Sequence, residues 1–261
     1  MRPGWWFFIV LLVLLTACAG GPRRPTGAVS KLGEGEASRL IETVKEKNDS
    51  ITPYKGLGRI GIYGKRGSIE GRAAWVAAPD GRFRIEALAV TGQPFARMIC
   101  TTDECFFIFR DGGCLRRQGA GDTSLEPLSG IRLKARDMVR IMGGGAPLAD
   151  YDSAGAYDMP EGGKVLVLKK RFSGTVQTIR FSEDLEHIRE TRIFGWRGPL
   201  YRAKIGRLGK SNSRMVPFEL DISDESGNRI NASVERCWFD IEPKENAFSP
   251  ELPEGAGCGR Q

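Results

Sequence analysis

The sequence predicts a mainly β (α+β) chain of about eleven or twelve antiparallel strands with one N-terminal and one mid-chain helix. Two observations predict it. Short β-rich segments follow one another from "GRIGIYGK" to "CFFIFR", separated by brief turns such as "PDG", "TGQ" and "TTDE", and the same texture resumes from "KVLVLKKR" to "RINASVERCWFDIE". Apolar residues fall at helical spacing in only two places, Ala37-Leu40-Ile41-Val44 and Ala135-Met138-Val139-Met142.

The chain opens on Arg2 and the uninterrupted apolar run Trp5 to Leu15. A run of about 11 residues is short of the ~20 needed to cross a bilayer core. It has the size and flanks of a signal-peptide core. Leu15-Thr16-Ala17-Cys18 follows and resembles the bacterial lipobox, a leucine and two small residues before a cysteine. The resemblance implies cleavage after residue 17 and acylation of Cys18, which gives a membrane-lipid anchor; several acyl chains at ~0.8 kcal/mol per buried CH₂ hold firmly. Ala19, not Asp, follows the cysteine, and by likeness to enteric lipoproteins this directs the chain to the periplasmic face of the outer membrane. Residues 19–36 are Gly/Pro-rich and read as a flexible tether.

The organisation expected is therefore a signal peptide over 1–17, the lipidated cysteine and tether over 18–36, one domain over 37–242 and a Pro/Gly-rich tail over 243–261. The formal charge of the chain is +7; without residues 1–17, 38 basic face 32 acidic side chains, a net +6. A basic surface would favour anionic partners such as lipid head groups, but Lys and Arg are scattered with no block of five, so the charge reads first as ordinary solvated surface, and nucleic-acid binding is not expected.

Along the domain, the first helix is expected at 36–48. "RFRIEALA" alternates cleanly, with Phe83, Ile85, Ala87 and Ala89 on one face, whereas "CFFIFR" is apolar throughout and reads as a strand covered on both sides. The mid-chain helix ends at Gly143–Gly145 and Pro147, and residues 146–163 read as a long acidic loop. Pro217 suits an edge or a bulge.

Five cysteines remain beyond Cys18. Cys100 and Cys105 flank a hairpin tip and are the first disulfide candidates; Cys114 is the rival partner for either, and an odd count leaves at least one thiol unpaired. "GLGRIG" matches GxGxxG, but it runs on as a strand and so lacks the strand-to-helix context of a dinucleotide site. The lone His187 sits among charged residues at a strand start, so no Ser-His-acid set, no metal site and no catalytic residue is expected. No cofactor is expected. Aromatic residues spread over nearly every strand either fill a core or line an open hollow, and sequence leaves both open.

The order of elements resembles the LolA/LolB lipoprotein-carrier family, and its outer-membrane receptor branch, LolB, more than its soluble carrier. The likeness lies in "RFRIEALAVTGQPFARM" (82–98), "LSGIRLKARDMVRIMGGGAP" (128–147) and "MVPFELDISDESGNRINASVERCWFDI" (215–241). It implies an incomplete β-barrel whose concave face is lidded by the two helices, with a hollow for the acyl chains of lipoproteins delivered by a periplasmic carrier to a monomeric receptor. Lining is expected from Trp75, Phe83, Ile85, Phe95, Phe107, Phe109, Met138 and Met142. The receptor's exposed membrane-inserting Leu has Thr91 at its position here; either Val90 substitutes in that loop, or the chain has the fold without the insertion step. The alternative function is a structural or assembly lipoprotein that uses the same sheet as a protein-binding scaffold.

Overall fold

The computed structural model of the chain describes residues 31–65, 67–110, 113–118, 124–212, 214–250 and 258–260. The expected signal segment, Cys18 and most of the expected tether lie outside the described residues. Helix α1 (Glu34–Asp49) turns Ala37, Leu40, Ile41 and Val44 inward. Its N-cap, Gly33, offers no side-chain hydrogen bond, while Glu34 and Glu36 in the first turn and Lys47 in the last complement the helix dipole. Burying each of Leu40, Ile41 and Val44 contributes ~1.5–3 kcal/mol, more than the dipole, so packing holds the helix in place.

The first meander is β1 (Tyr54–Gly64), β2 (Gly67–Ala77), β3 (Phe83–Leu88), β4 (Pro94–Cys100), β5 (Glu104–Phe109) and β6 (Cys114–Gln118). Helices α2 (Glu126–Ser129) and α3 (Ala135–Met142) follow. The second meander is β7 (Ser153–Asp158), β8 (Lys164–Lys170), β9 (Gly174–Phe181), β10 (Ile188–Gly195) and β11 (Gly198–Ile205). A small ribbon of β12 (Leu208–Ser211) and β13 (Arg214–Pro217) interrupts before β14 (Glu219–Ser223), β15 (Arg229–Phe239) and the short β16 (Gly259–Arg260).

One sheet of fourteen strands results, in the order β16-β6-β5-β4-β3-β2-β1-β15-β14-β11-β10-β9-β8-β7. All pairs are antiparallel except β16 on β6. The pairing of β1 with β15 joins the two meanders, and the sheet stays open between β16 and β7. Residues paired across antiparallel strands share a face. The row Ala156-Leu166-Ile179-Thr191-Ala203-Ile222-Ile230-Ile62-Ile69 therefore crosses nine strands on one inner face. α1 packs on that face over β7–β10, and α3 packs on it over both meanders.

The strand count exceeds the eleven or twelve expected. β7 lies inside the segment read as an acidic loop, where Ser153–Asp158 pairs with β8. Pro217 and Phe218 split one expected strand into β13 and β14. β6, β12 and β16 are short and carry little alternation. The tail is fastened as well: Phe248 is buried with the Arg82 guanidinium 4.9 Å from its ring centroid, and Cys258 is bonded to Cys114. That bridge covers the outer face of β5, where Phe106 and Ile108 pack with Ile99, while Cys105 and Phe107 face inward. The unbroken apolar run of β5 follows from both contacts.

Cys100 and Cys105 are joined, with Cα atoms 4.1 Å apart, and Cys237 is a free thiol. Cys114 pairs across 144 residues rather than with its neighbours. Non-reducing peptide mapping should return Cys100–Cys105 and Cys114–Cys258. Replacing Cys114 and Cys258 by Ser should lower unfolding stability by about 2–5 kcal/mol in a urea titration. No change would mean that packing alone holds the β6 edge.

Candidate functional site

The inner face under α3 is the candidate site. Ala135, Met138, Val139 and Met142 point at the sheet, Ile141 is buried beside them, and all five are in the main core. The helix stops because Gly144 takes φ +90°, a left-handed conformation that glycine adopts without strain, while Gly143 N–H and Gly145 N–H bond back to Val139 and Arg140.

Two tyrosines fix α3 over the sheet. Tyr54 Oη on β1 donates to the Val139 carbonyl at 2.8 Å, and Tyr201 Oη on β11 donates to Asp137 Oδ2 at 3.1 Å. Burial pushes both phenols well above their usual range, for Tyr201 with help from the Asp137 charge, so both remain protonated donors. The extended segment after α3 is fastened by Gln177 on β9, which is fully buried. Its Nε2 donates to the Pro147 carbonyl at 2.6 Å and to Thr191 Oγ1 at 3.0 Å, and its Oε1 accepts from Ala149 N–H at 2.8 Å. Asn48 at the end of α1 closes the same segment by bonding both backbone groups of Ala146.

Trp75 lies across β1. It pairs in register with Gly56, and a Cβ there would stand 2.3 Å from the indole. The glycine of "GLGRIG" thus seats an aromatic ring. Gly58 lies at the β1–β15 register shift, with Ser233 carbonyl 2.2 Å from where its Cβ would be. Trp75 Nε1 is buried without a hydrogen-bond partner among the described residues. Beside it is a residual cavity of about 10 Å³ open to the centre of a water molecule, lined by Trp75, Met142, Pro217, Leu220, Val234 and Cys237. That is room for one water at most. With α3 seated, the described residues close the inner face around Trp75 and Met142 down to that space. Burial pushes the Cys237 thiol beside it up to about 11, against the opposing pull of the Trp238 N–H.

Of the eight lining residues expected, Trp75, Phe83, Ile85, Phe107, Met138 and Met142 come together in this core. Phe109 shares their face by register with Ala96 but stands exposed at the strand end. Phe95 is a correction: Ala96 points inward, so Phe95 points out, and it is exposed. Val90 and Thr91 are exposed at the tip of the β3–β4 turn, closed by Gly92 N–H to the Ala89 carbonyl at 2.8 Å. Sequence reasoning missed Tyr54, Tyr201, Gln177 and Asn48. Register places Tyr54 and Tyr201 on the inner face, and only the path of the chain after α3 reveals what their hydroxyls meet.

The outer face carries two polar grooves of about 600 and 890 Å³. Their charges are largely paired: Arg59 with Glu70, Arg229 with Asp221, Arg180 with Glu161, and Arg202 with Glu190. In the β9–β10 turn Asp184, Glu186 and His187 converge, but Asp184 already accepts from the Ser182 hydroxyl and the Glu186 N–H, so its carboxylate closes the turn.

Glu190 is the buried member of the outer face, 5% exposed, accepting from Arg192 Nε at 2.6 Å and Arg202 Nε at 2.8 Å. Burial raises its pKa, but the hydrogen bonds and charges of Arg202 and Arg192 outweigh it and leave the carboxyl below its usual value. A depressed carboxylate stabilises the fold above its unfolded pKa, and this is lost as pH falls through the folded value. Glu190→Gln should therefore cost about 1.5–3 kcal/mol at neutral pH. It should cost less near pH ~3. Urea titrations of both proteins at the two pH values check this; a loss independent of pH would contradict the ionic role.

By sequence the chain matches no protein-family model and no curated protein. By structure it resembles three solved proteins, each at TM-score 0.53. One is a LolA superfamily protein from Nitrosomonas europaea, 10% identical, with 83% of this chain and 99% of that one aligned. Another is a DUF1329 family protein from Desulfovibrio piger, 10% identical, covering 84% and 99%. The third is a putative outer membrane lipoprotein-sorting protein domain from Vibrio parahaemolyticus, 6% identical, covering 83% and 97%. None of the three carries the name of an enzyme. The chain has the LolA-like fold, an antiparallel sheet left open as a half-barrel with helices on its inner face.

Proposed function

We propose that the chain is a lipid-anchored protein of the bacterial envelope, acylated at Cys18, that takes acyl chains of lipids or lipoproteins between its inner face and α3. The observation that supports this most is α3, an eight-residue helix with a methionine-bearing underside that closes the half-barrel through two tyrosine hydrogen bonds. Releasing the Tyr54–Val139 bond costs about 1 kcal/mol and the Tyr201–Asp137 carboxylate bond about 1.5–3 kcal/mol. Each methylene buried returns ~0.8 kcal/mol, so a few offset the loss, provided Met138 and Met142 repack on the ligand. The fold of a lipoprotein-sorting domain supports the envelope and the cargo class.

Within this reading the chain performs the receptor step. Cys18 holds it to the outer membrane, a periplasmic carrier delivers the lipoprotein, and Val90 beside Thr91 supplies the apolar tip of the insertion loop. One observation favours a second reading, the scaffold: with α3 seated the cavity beside Trp75 and Met142 is only about 10 Å³.

Two experiments separate these readings. Metabolic labelling with a fatty acid should mark the parent and lose the mark in Cys18→Ser; label that persists removes the anchor. Native mass spectrometry of the full chain, purified with its own lipids, should show a non-covalent acyl ligand, and a fluorescent fatty acid should bind. Met142→Ala should weaken that binding and cost less than the ~2–5 kcal/mol of a rigid core site. A parent that binds no fatty acid, with a full-sized stability loss in the variant, leaves the scaffold.

A further inference from the structure

Because neighbouring strands run antiparallel, alternate turns share one end of the sheet. The turns β1–β2, β3–β4, β5–β6, β8–β9, β10–β11 and β14–β15 lie at one end, and β2–β3, β4–β5, β7–β8 and β9–β10 at the other. The two ends differ in chemistry. Among the described residues, seven of the eight exposed large hydrophobic side chains lie at the first end; Met215 is the exception. Phe172 at the β8–β9 turn is 95% exposed and Trp196 at the β10–β11 turn 82%, while Ile69, Val90 and Phe109 extend the line along the first meander. Single exposed apolar side chains are ordinary, but seven gathered at one end of a sheet mark an interaction surface.

Charge divides along the same axis. Lys65, Arg110, Arg171 and Arg197 are exposed at turns of the apolar end. Arg197 Cζ lies 4.4 Å from the Trp196 ring centroid and Arg171 Cζ 5.7 Å from that of Phe172. Of the acids at this end, Glu70 is ion-paired with Arg59 and Asp150 with Lys170, while Asp152 and Asp224 accept backbone N–H groups and keep their charge, so the cations that matter are those beside the two rings, Arg171 and Arg197. Glu225 is exposed there too. The turns of the opposite end expose Asp80, Asp103, Glu161, Glu183, Asp184 and Glu186 and none of the large hydrophobics.

We propose that the apolar, basic end of the sheet docks on an anionic bilayer surface, with Phe172 and Trp196 seated among the headgroups and the acidic end facing away. Aromatic side chains with an adjacent cation suit that interface, where the ring is half-solvated and the arginine meets lipid phosphate. The two turns are two strands apart, about 10 Å, so both rings reach one plane together. The proposal rests on the lipid-anchored reading, and the anchor permits it. Lys31 bridges Tyr157 near the acidic end. From Cys18 to Lys31 the chain can span about 45 Å. A strand of the second meander spans only about 25 Å, so the apolar end can reach the membrane that holds the acyl chains.

The test uses the full chain reconstituted into vesicles of phosphatidylcholine, alone or with equal parts of phosphatidylglycerol, with brominated acyl chains as quencher. Flotation reads the anchor, and the emission difference between the parent and Trp196→Phe reads the docking, so the two can fail separately. We expect Trp196 to lose most of its emission to bromolipid in the phosphatidylglycerol vesicles, less in phosphatidylcholine alone, and less again in the Arg171→Gln, Arg197→Gln variant. Met215→Ser should leave the quenching unchanged. Floated protein whose Trp196 stays open to aqueous acrylamide and unquenched by bromolipid overturns the proposal. So does a Trp196 shielded from acrylamide without bromolipid quenching, which would mean a protein partner at this end.

Discussion

The fold depends on how α3 is held. An open sheet cannot satisfy its own inner face, because nothing returns across the gap between β16 and β7 to cover it. The Tyr54 hydroxyl on the Val139 carbonyl sets the height of the helix that does so. Tyr54 also stacks on Phe239 at 5.0 Å, so the same residue ties β1, the end of β15 and α3 together. Trp75 then lies flat because Gly56 leaves it room, and Met142 closes on it. Of the two buried side-chain polar atoms left without a partner among the described residues, Trp75 Nε1 and Asn231 Oδ1, the first lies beside a cavity too small for anything beyond a water.

Lifting α3 therefore has a defined cost and a defined return. The helix is short, its hydrogen bonds to the sheet are few, and its contacts are made by flexible methionines as well as Val139 and Ile141. α1, by contrast, packs Leu40, Ile41 and Val44 in a separate cluster with Leu166, Leu168 and Ile179, and Lys164 pairs with Glu36. In the proposed function the half-barrel combines a fixed helix with one that a ligand would exchange for its own apolar surface, while the buried Gln177 holds the segment after α3.

Much of this was legible in the sequence, for physical reasons. The helical stripes of α1 and α3 are periodic signals that hold in the burial, and in β3 Phe83 and Ile85 join the core as alternation predicts, although Arg84 and Glu86 on the other face are half-buried too. The apolar run of β5 signalled cover on both faces, though the outer cover proved to be the tail, brought there by a bridge over 144 residues that no local pattern announces. β7 was hidden because Gly155, Ala156 and flanking polar residues make a weak strand, which forms only when β8 and α1 supply its pairing and cover. Phe95 was misplaced because aromatic character was read without the face on which it falls. The hydroxyls of Tyr54 and Tyr201 and the amide of Gln177 carry no sequence period; their partners are set by where a loop passes.

The most direct measurement of the central claim is a crystal structure of the chain with palmitate bound. The account predicts an acyl chain against Trp75 and Ile85, with α3 moved off the sheet and the Tyr54–Val139 hydrogen bond broken. Palmitate on the outer face or absent, with α3 seated and that hydrogen bond intact, would contradict it.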